Sequence, residues 1–78
     1  MAIALTACGS KVYNSQLKQV QLHMTPQEIV SLMGNEYTIL QQEDAYNQTI
    51  MYKDRYKNEW VFQFVDGELV KWYNANKQ

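Results

Sequence analysis

Seventy-eight residues leave room for one small domain, and a chain near that size buries only about 60% of the surface its unfolded form exposes, so the core must be thin. A net charge of −1, with acidic and basic residues interspersed, excludes the basic footprint of a nucleic-acid binder. The single cysteine, Cys8, excludes an intrachain disulfide and a thiolate-rich structural zinc site.

The chain opens Met-Ala-Ile-Ala-Leu-Thr-Ala-Cys-Gly, apolar residues giving way to small ones before a cysteine. Leu5-Thr6-Ala7-Cys8 resembles a bacterial lipobox, in which small residues let a signal peptidase cut before a cysteine whose sulfur then carries diacylglycerol. A charged first region is missing, and the apolar run is shorter than the roughly 7 to 15 residues of a complete signal peptide. Residues 1–8 are therefore expected to be the remnant of a lipoprotein signal peptide with a truncated or misplaced start. The alternative is a soluble cytosolic domain with an apolar tail and a chance cysteine. If Cys8 is lipidated, two or more acyl chains would hold the protein firmly where one would hold it reversibly. The mature chain would then be membrane-anchored without a transmembrane helix. Gly9, standing where an inner-membrane retention signal has Asp, favours the outer membrane under the enterobacterial sorting rule, with the protein facing the periplasm. Residues 9–15 would be a tether and 16–73 a single domain.

Ser15 to Leu22 is ambiguous: Leu17, Val20 and Met24 follow a helical spacing, whereas Lys18, Val20 and Leu22 alternate as in a strand. A short helix capped by Asn14 or Ser15 is expected, paired with the one that follows. That second helix has both ends marked. Thr25 can cap its start and Glu28 can complete a capping box. Pro26 occupies the first helical position, and Gly34 can take the left-handed conformation that stops the helix. Met24 and Ile29 have the spacing of a hydrophobic staple. A helix this short is not stable alone in water, so Ile29, Val30, Leu32 and Met33 must pack against the aromatic-rich remainder of the chain.

After Gly34 the apolar period falls to two. Strands are expected at Tyr37–Gln42, Thr49–Arg55 and Glu59–Val65, with Asp66-Gly67 turning the chain back into a final strand. Glu43 and Asp44 read as a solvated connection, since no third ligand or histidine accompanies them. An uninterrupted register from Asp66-Gly67 pairs Phe64 with Leu69 and Phe62 with Lys71. It places Trp60, Phe62, Phe64, Leu69 and Tyr73 on the core face and Val61, Val65, Val70 and Trp72 on the other. A three-residue turn at Tyr56–Asn58, with Asn58 left-handed, keeps Ile50 and Tyr52 on the core face and spares Lys53 and Arg55 from burial. Residues 74–78 are expected to fray. The expected fold is α+β: two short N-terminal helices packed on an antiparallel meander of three strands, with four as the alternative.

The order of these signals resembles the SmpA/OmlA, or BamE-like, group of small bacterial lipoproteins, over roughly Leu17 to Tyr73. Met24-Thr25 matches the group's Met-Thr, Ile29 or Val30 its valine, and Met33-Gly34 its Leu-Gly. Ile50-x-Tyr52 stands at its Trp-x-Tyr site, and Phe64-Val65-Asp66-Gly67 matches the final strand and turn. His23 stands where the group has Gly, Asn35-Glu36 where it has Pro, and Ile50 where it has Trp. The resemblance implies two helices on a three-stranded sheet. Its relatives include a scaffold lipoprotein of the outer-membrane β-barrel assembly machinery, and similar modules inhibit secreted β-lactamases.

Neither a nucleophile–base spacing nor a phosphate loop is present, and no cofactor or metal is expected. His23 reads as a boundary residue rather than a base. The expected function is therefore a lipid-anchored, periplasm-facing protein-interaction module, monomeric and not an enzyme. Its contact surface would be Val61, Val65, Val70 and Trp72, and its protein partner would lie in the envelope. The bland alternative for that apolar face is cover from within the same chain. Two other functional readings are an envelope inhibitor or immunity-type lipoprotein, and a small-ligand or lipid-headgroup binder using Tyr37, Tyr46 and Tyr52.

Overall fold

The computed structural model describes residues 12–76. The signal-peptide remnant, the lipobox with Cys8, and residues 77–78 lie outside the described residues. Two helices, α1 (Asn14–Leu17) and α2 (Pro26–Met33), precede four strands: β1 (Thr38–Gln42), β2 (Gln48–Lys53), β3 (Glu59–Val65) and β4 (Glu68–Asn74). The strands form one antiparallel meander in the order β1-β2-β3-β4, so the class is α+β with four strands rather than three.

The ends of α2 follow from local chemistry. Thr25 Oγ1 accepts from the Glu28 N–H at 3.1 Å while Glu28 Oε1 accepts from the Thr25 N–H at 2.8 Å, closing the capping box. Gly34, at φ 104°, ends the helix and donates its N–H to the Val30 carbonyl at 2.7 Å. Ile29 and Met33 are buried from this helix, with Leu32 packed at the edge of the core.

The first helix is shorter than its periodicity indicates. It makes a single turn, starts after Tyr13 with no side-chain cap, and gains nothing from Asn14 or Ser15 as caps. It cannot extend through Leu22 because the backbone has another partner. The His23 N–H donates to the Leu69 carbonyl, and the Leu69 N–H donates to the Met24 carbonyl, each at 2.8 Å. His23 takes a left-handed φ of 78° to make that turn. Tyr13, placed in the expected tether, is buried in the core with its ring edge-on to Tyr52 at 5.5 Å. The domain thus begins before residue 16.

The core joins Tyr13, Ile29 and Met33 to Ile50, Tyr52, Phe62, Phe64 and Leu69. Tyr52 is its hub. Its ring also meets Tyr37 and Phe62, each at 5.7 Å, and its hydroxyl donates to the Gly34 carbonyl at 2.7 Å, tying the end of α2 to the sheet.

Two registers depart from expectation. The β2–β3 loop spans Asp54–Asn58, with Lys53 opposite Glu59, and Lys57 rather than Asn58 is left-handed, at φ 70°. This loop is two residues longer than the expected turn, an even number, so Ile50 and Tyr52 keep the core face, now opposite Phe62 and Trp60. Asp54 organises the loop. Its carboxylate accepts from the backbone N–H groups of Tyr56 and Asn58, the Asn58 amide and the Trp60 indole, at 2.8 to 3.0 Å.

Beyond the Asp66-Gly67 turn, whose residues both have positive φ, Phe64 pairs with Leu69 as expected. A β-bulge at Val70 then changes the pairing to Gln63 with Lys71, Phe62 with Trp72 and Val61 with Tyr73. An unbulged strand would place Lys71 on the core face opposite Phe62; the extra residue puts an indole there instead. The end of β4 is also held rather than frayed. Asn74 Oδ1 accepts from the Glu59 N–H at 3.0 Å, the Asn74 amide donates to Asn58 Oδ1 at 2.8 Å, and the Ala75 N–H reaches the Glu59 carbonyl at 2.8 Å.

Candidate interaction surface

The bulge divides the four residues expected to form one apolar face. Trp72 turns to the helix side, nearly parallel to Phe62 at a centroid distance of 5.9 Å and 6.2 Å from Trp60. Val61 stays on the helix-free face but is only 2% exposed, with Met51 and Tyr73 as its cross-strand neighbours. Val65 and Val70 are exposed. The rest of that face carries Thr49, Gln63, Lys53, Glu59 and Lys71, whose ammonium lies 5.4 Å from the Tyr73 ring centroid. A mixed polar surface thus replaces the expected apolar one.

The three tyrosines considered as a ligand site do not come together. Tyr52 is wholly buried. Tyr37 leans on it, whereas Tyr46 sits exposed in the β1–β2 connection beside Gly67, whose N–H donates to the Tyr46 carbonyl at 2.8 Å. Burial pushes the Tyr52 hydroxyl well above the usual phenol value, and the neighbouring Tyr37 and Tyr13 add to the effect. His23 stands beside α2's cap with Nδ1 3.0 Å from Glu68 Oε1, both side chains exposed.

β1 exposes two adjacent aliphatic side chains. All five of its residues are exposed, Ile39 and Leu40 being about half accessible. Ile39 pairs with Ile50 on the helix side of the sheet, and a bulge leaves Leu40 as an extra residue. The helix side falls away from this strand as a groove of about 430 Å³ between Pro26, Val30 and Ser31 of α2 and Tyr37, Gln48 and Ile50.

The two sheet edges differ. At Leu69 the β4 edge is covered by the pair of backbone bonds to His23 and Met24. Beyond β1, no strand is paired among the described residues. β1 reads Thr-Ile-Leu-Gln-Gln, without the lysine or proline that commonly blunts an edge; its bulge is the remaining guard. Charge stands at the strand's ends instead. At its start, a cleft of about 580 Å³ is bordered by Tyr37, Thr38, Met51 and Glu36, with Lys53, Asp54, Arg55 and Lys57 around it.

At the other end of β1 come Glu43 and Asp44. Asp44 shapes the connection by accepting from the N–H groups of Tyr46 and Asn47, at 2.8 and 3.0 Å, and from the Asn47 amide at 3.0 Å. These bonds, the one from Tyr46 first, hold its carboxyl below the ordinary range. Sequence reading did not single out Ile39 and Leu40 as contact residues, since alternation alone does not tell an edge strand from a central one.

Among the described residues no group of His, Cys, Asp and Glu side chains is arranged to hold a metal ion, and no helix is long and apolar enough to cross a membrane. Comparison of the chain with protein-family models, curated proteins and solved structures gave no match.

Proposed function

We propose that the chain is a lipid-anchored, periplasm-facing interaction module of the bacterial envelope that receives an extended segment of a partner protein along β1. The supporting observation is a contrast between edges: β4 is held at Leu69 by His23 and Met24, whereas among the described residues no strand pairs with the outer edge of β1, where Ile39 and Leu40 are half exposed. Strand addition draws affinity from main-chain hydrogen bonds and specificity from side-chain pockets. The groove between α2 and β2, with Tyr37 at its rim, lies on the helix side of the sheet, the side that Ile39 shares with Ile50. Leu5-Thr6-Ala7-Cys8 supports anchoring through Cys8, and the order of motifs from Met24 to Gly67 supports a role like that of the SmpA/OmlA scaffold lipoproteins. An envelope inhibitor would use the same strand.

The test is expression of a C-terminally tagged chain in its host with metabolic labelling by a fatty-acid analogue. The expected result is label on the wild type and none on Cys8→Ala, with envelope proteins recovered from the wild type and lost from Leu40→Lys. Unlabelled wild type would remove the anchor. Equal recovery by Leu40→Lys would remove β1 as the contact.

A further inference from the structure

We infer that the half-exposed tryptophans Trp60 and Trp72 form the face by which the anchored chain lies against its own membrane, meeting the bilayer at headgroup depth. This rests on the reading of Cys8 as the anchor. Trp60, Trp72 and Leu17 line, with Asn14 and Lys18, an open groove of about 420 Å³. All three apolar side chains pack against the core on one side and stay partly open on the other. The indoles stand 6.2 Å apart, and the bulge at Val70 is what brings Trp72 to this side of the sheet. Among the described residues no carboxylate lines the groove. Asp54, which accepts from the Trp60 indole, is buried, and Glu59 alternates to the helix-free face. The exposed Lys18 is the charge that the groove presents.

The point at which the chain enters selects the occupant. Gly9, Ser10 and Lys11 are all that separates Cys8 from Val12, so the two ends of that segment lie within about 14 Å of each other, four steps of roughly 3.5 Å. Asn14, two residues further on, already lines the groove. A bilayer holding Cys8 is therefore within reach of this face. Tryptophan rings favour the headgroup level, and a lysine gains against anionic phospholipid. Docked in this way, the chain keeps β1 at the far edge of the sheet, with β2 and β3 between it and β4, free to receive a partner strand.

Trp60 and Trp72 are the only tryptophans of the chain and Cys8 its only cysteine, so tryptophan fluorescence reads this face alone and a thiol-reactive lipid attaches at the anchor position alone. The test couples the full, unlipidated chain through Cys8 to a maleimide-bearing phospholipid in vesicles of phosphatidylethanolamine and phosphatidylglycerol, with and without bromine on the acyl chains. Tethering is expected to move tryptophan emission to shorter wavelength, to protect it from acrylamide, and to make it quenchable by the brominated lipid. Lys18→Glu, at an exposed position where circular dichroism checks folding, should lower the docked-to-free ratio read from that quenching roughly fivefold or more. Emission that tethering leaves unchanged, or quenching as strong in Lys18→Glu as in the wild type, would overturn the docking. Tryptophans as well shielded from acrylamide in the free chain as in the tethered one would also overturn it, since another segment of the chain would then cover the groove. Native lipidation is read separately, by fatty-acid label on Cys8. A labelled wild type whose coupled form shows no quenching removes the docking and leaves the anchor. An unlabelled wild type whose coupled form is quenched removes the anchor and upholds the affinity of this face for a bilayer.

Discussion

Trp72 lies almost flat on Phe62, with ring planes 9° apart and centroids 5.9 Å apart, because one additional residue, Val70, is accommodated in the strand between Leu69 and Lys71. The stack makes Trp72 part of the core, so Trp72→Ala should lower stability by about 2 kcal/mol or more, below the roughly 3 to 5 kcal/mol of a wholly buried aromatic. Deleting Val70 should cost less than that, since it removes the extra residue and leaves Lys71 opposite Gln63 and Trp72 opposite Phe62 in an unbroken ladder. Urea unfolding midpoints compare the two. A Val70 deletion costlier than Trp72→Ala would contradict the role given to the bulge.

Asp54 makes stability depend on pH. Burial pushes its carboxyl up, but the hydrogen bonds from Asn58, the Trp60 indole and the Tyr56 and Asn58 backbone outweigh that and hold it below the ordinary value. A depressed folded-state value gives stability that is fully present above the unfolded pKa of about 3.9 and is lost as pH falls through the folded one. Thermal unfolding from pH 7 down to pH 2 should show this loss, and Asp54→Asn should flatten it. Asp54→Ala, which leaves the indole N–H and the Asn58 amide without their acceptor, should cost about 1 to 3 kcal/mol at pH 7.

Tyr52 acts at the opposite end of the pH scale. Its hydroxyl is held neutral by burial first and by Tyr37 and Tyr13 next. A raised folded-state value contributes stability present below the unfolded value of about 10 and lost as pH climbs beyond it. Spectrophotometric titration should therefore show a tyrosine that ionises only together with alkaline unfolding, absent in Tyr52→Phe. That variant also loses the bond to the Gly34 carbonyl, a cost of about 1 kcal/mol at neutral pH.

Gly34→Ala tests how α2 is terminated. No neighbouring atom lies within 4 Å of where a Cβ would stand, so the cost is that of holding φ at 104°, about 1 to 2 kcal/mol. Thr25→Ala should cost about 1 kcal/mol through the lost cap. Their effects should add in chemical denaturation, because the two residues act at opposite ends of the helix.

What could be read from the sequence was chemistry that closes within a few residues. The Thr25–Glu28 box, the Gly34 stop and the Asp66-Gly67 turn each satisfy their own backbone, and each stands where expected. The register after Leu69 is different in kind, since the bulge at Val70 answers to Phe62 across the sheet. The length of α1 likewise depends on Leu69, 46 positions beyond His23 in the chain, which claims the backbone that would have continued the helix. Asp54 was missed although its partners at Asn58 and Trp60 are close in sequence; the spacing was present and its loop was drawn too short. β1 could not be singled out before the strand order placed it at an edge and the His23 and Met24 bonds to Leu69 were seen at the other.

The most direct measurement is photo-crosslinking in the living host, with the reactive side chain placed at Leu40 in one strain and at Gln63, on the helix-free face, in another. The account predicts adducts from position 40 and few from position 63, with adduct masses separating a second copy of the chain from a different envelope protein. Adducts from position 63 with none from position 40 would contradict it and return the contact surface to the helix-free face of the sheet.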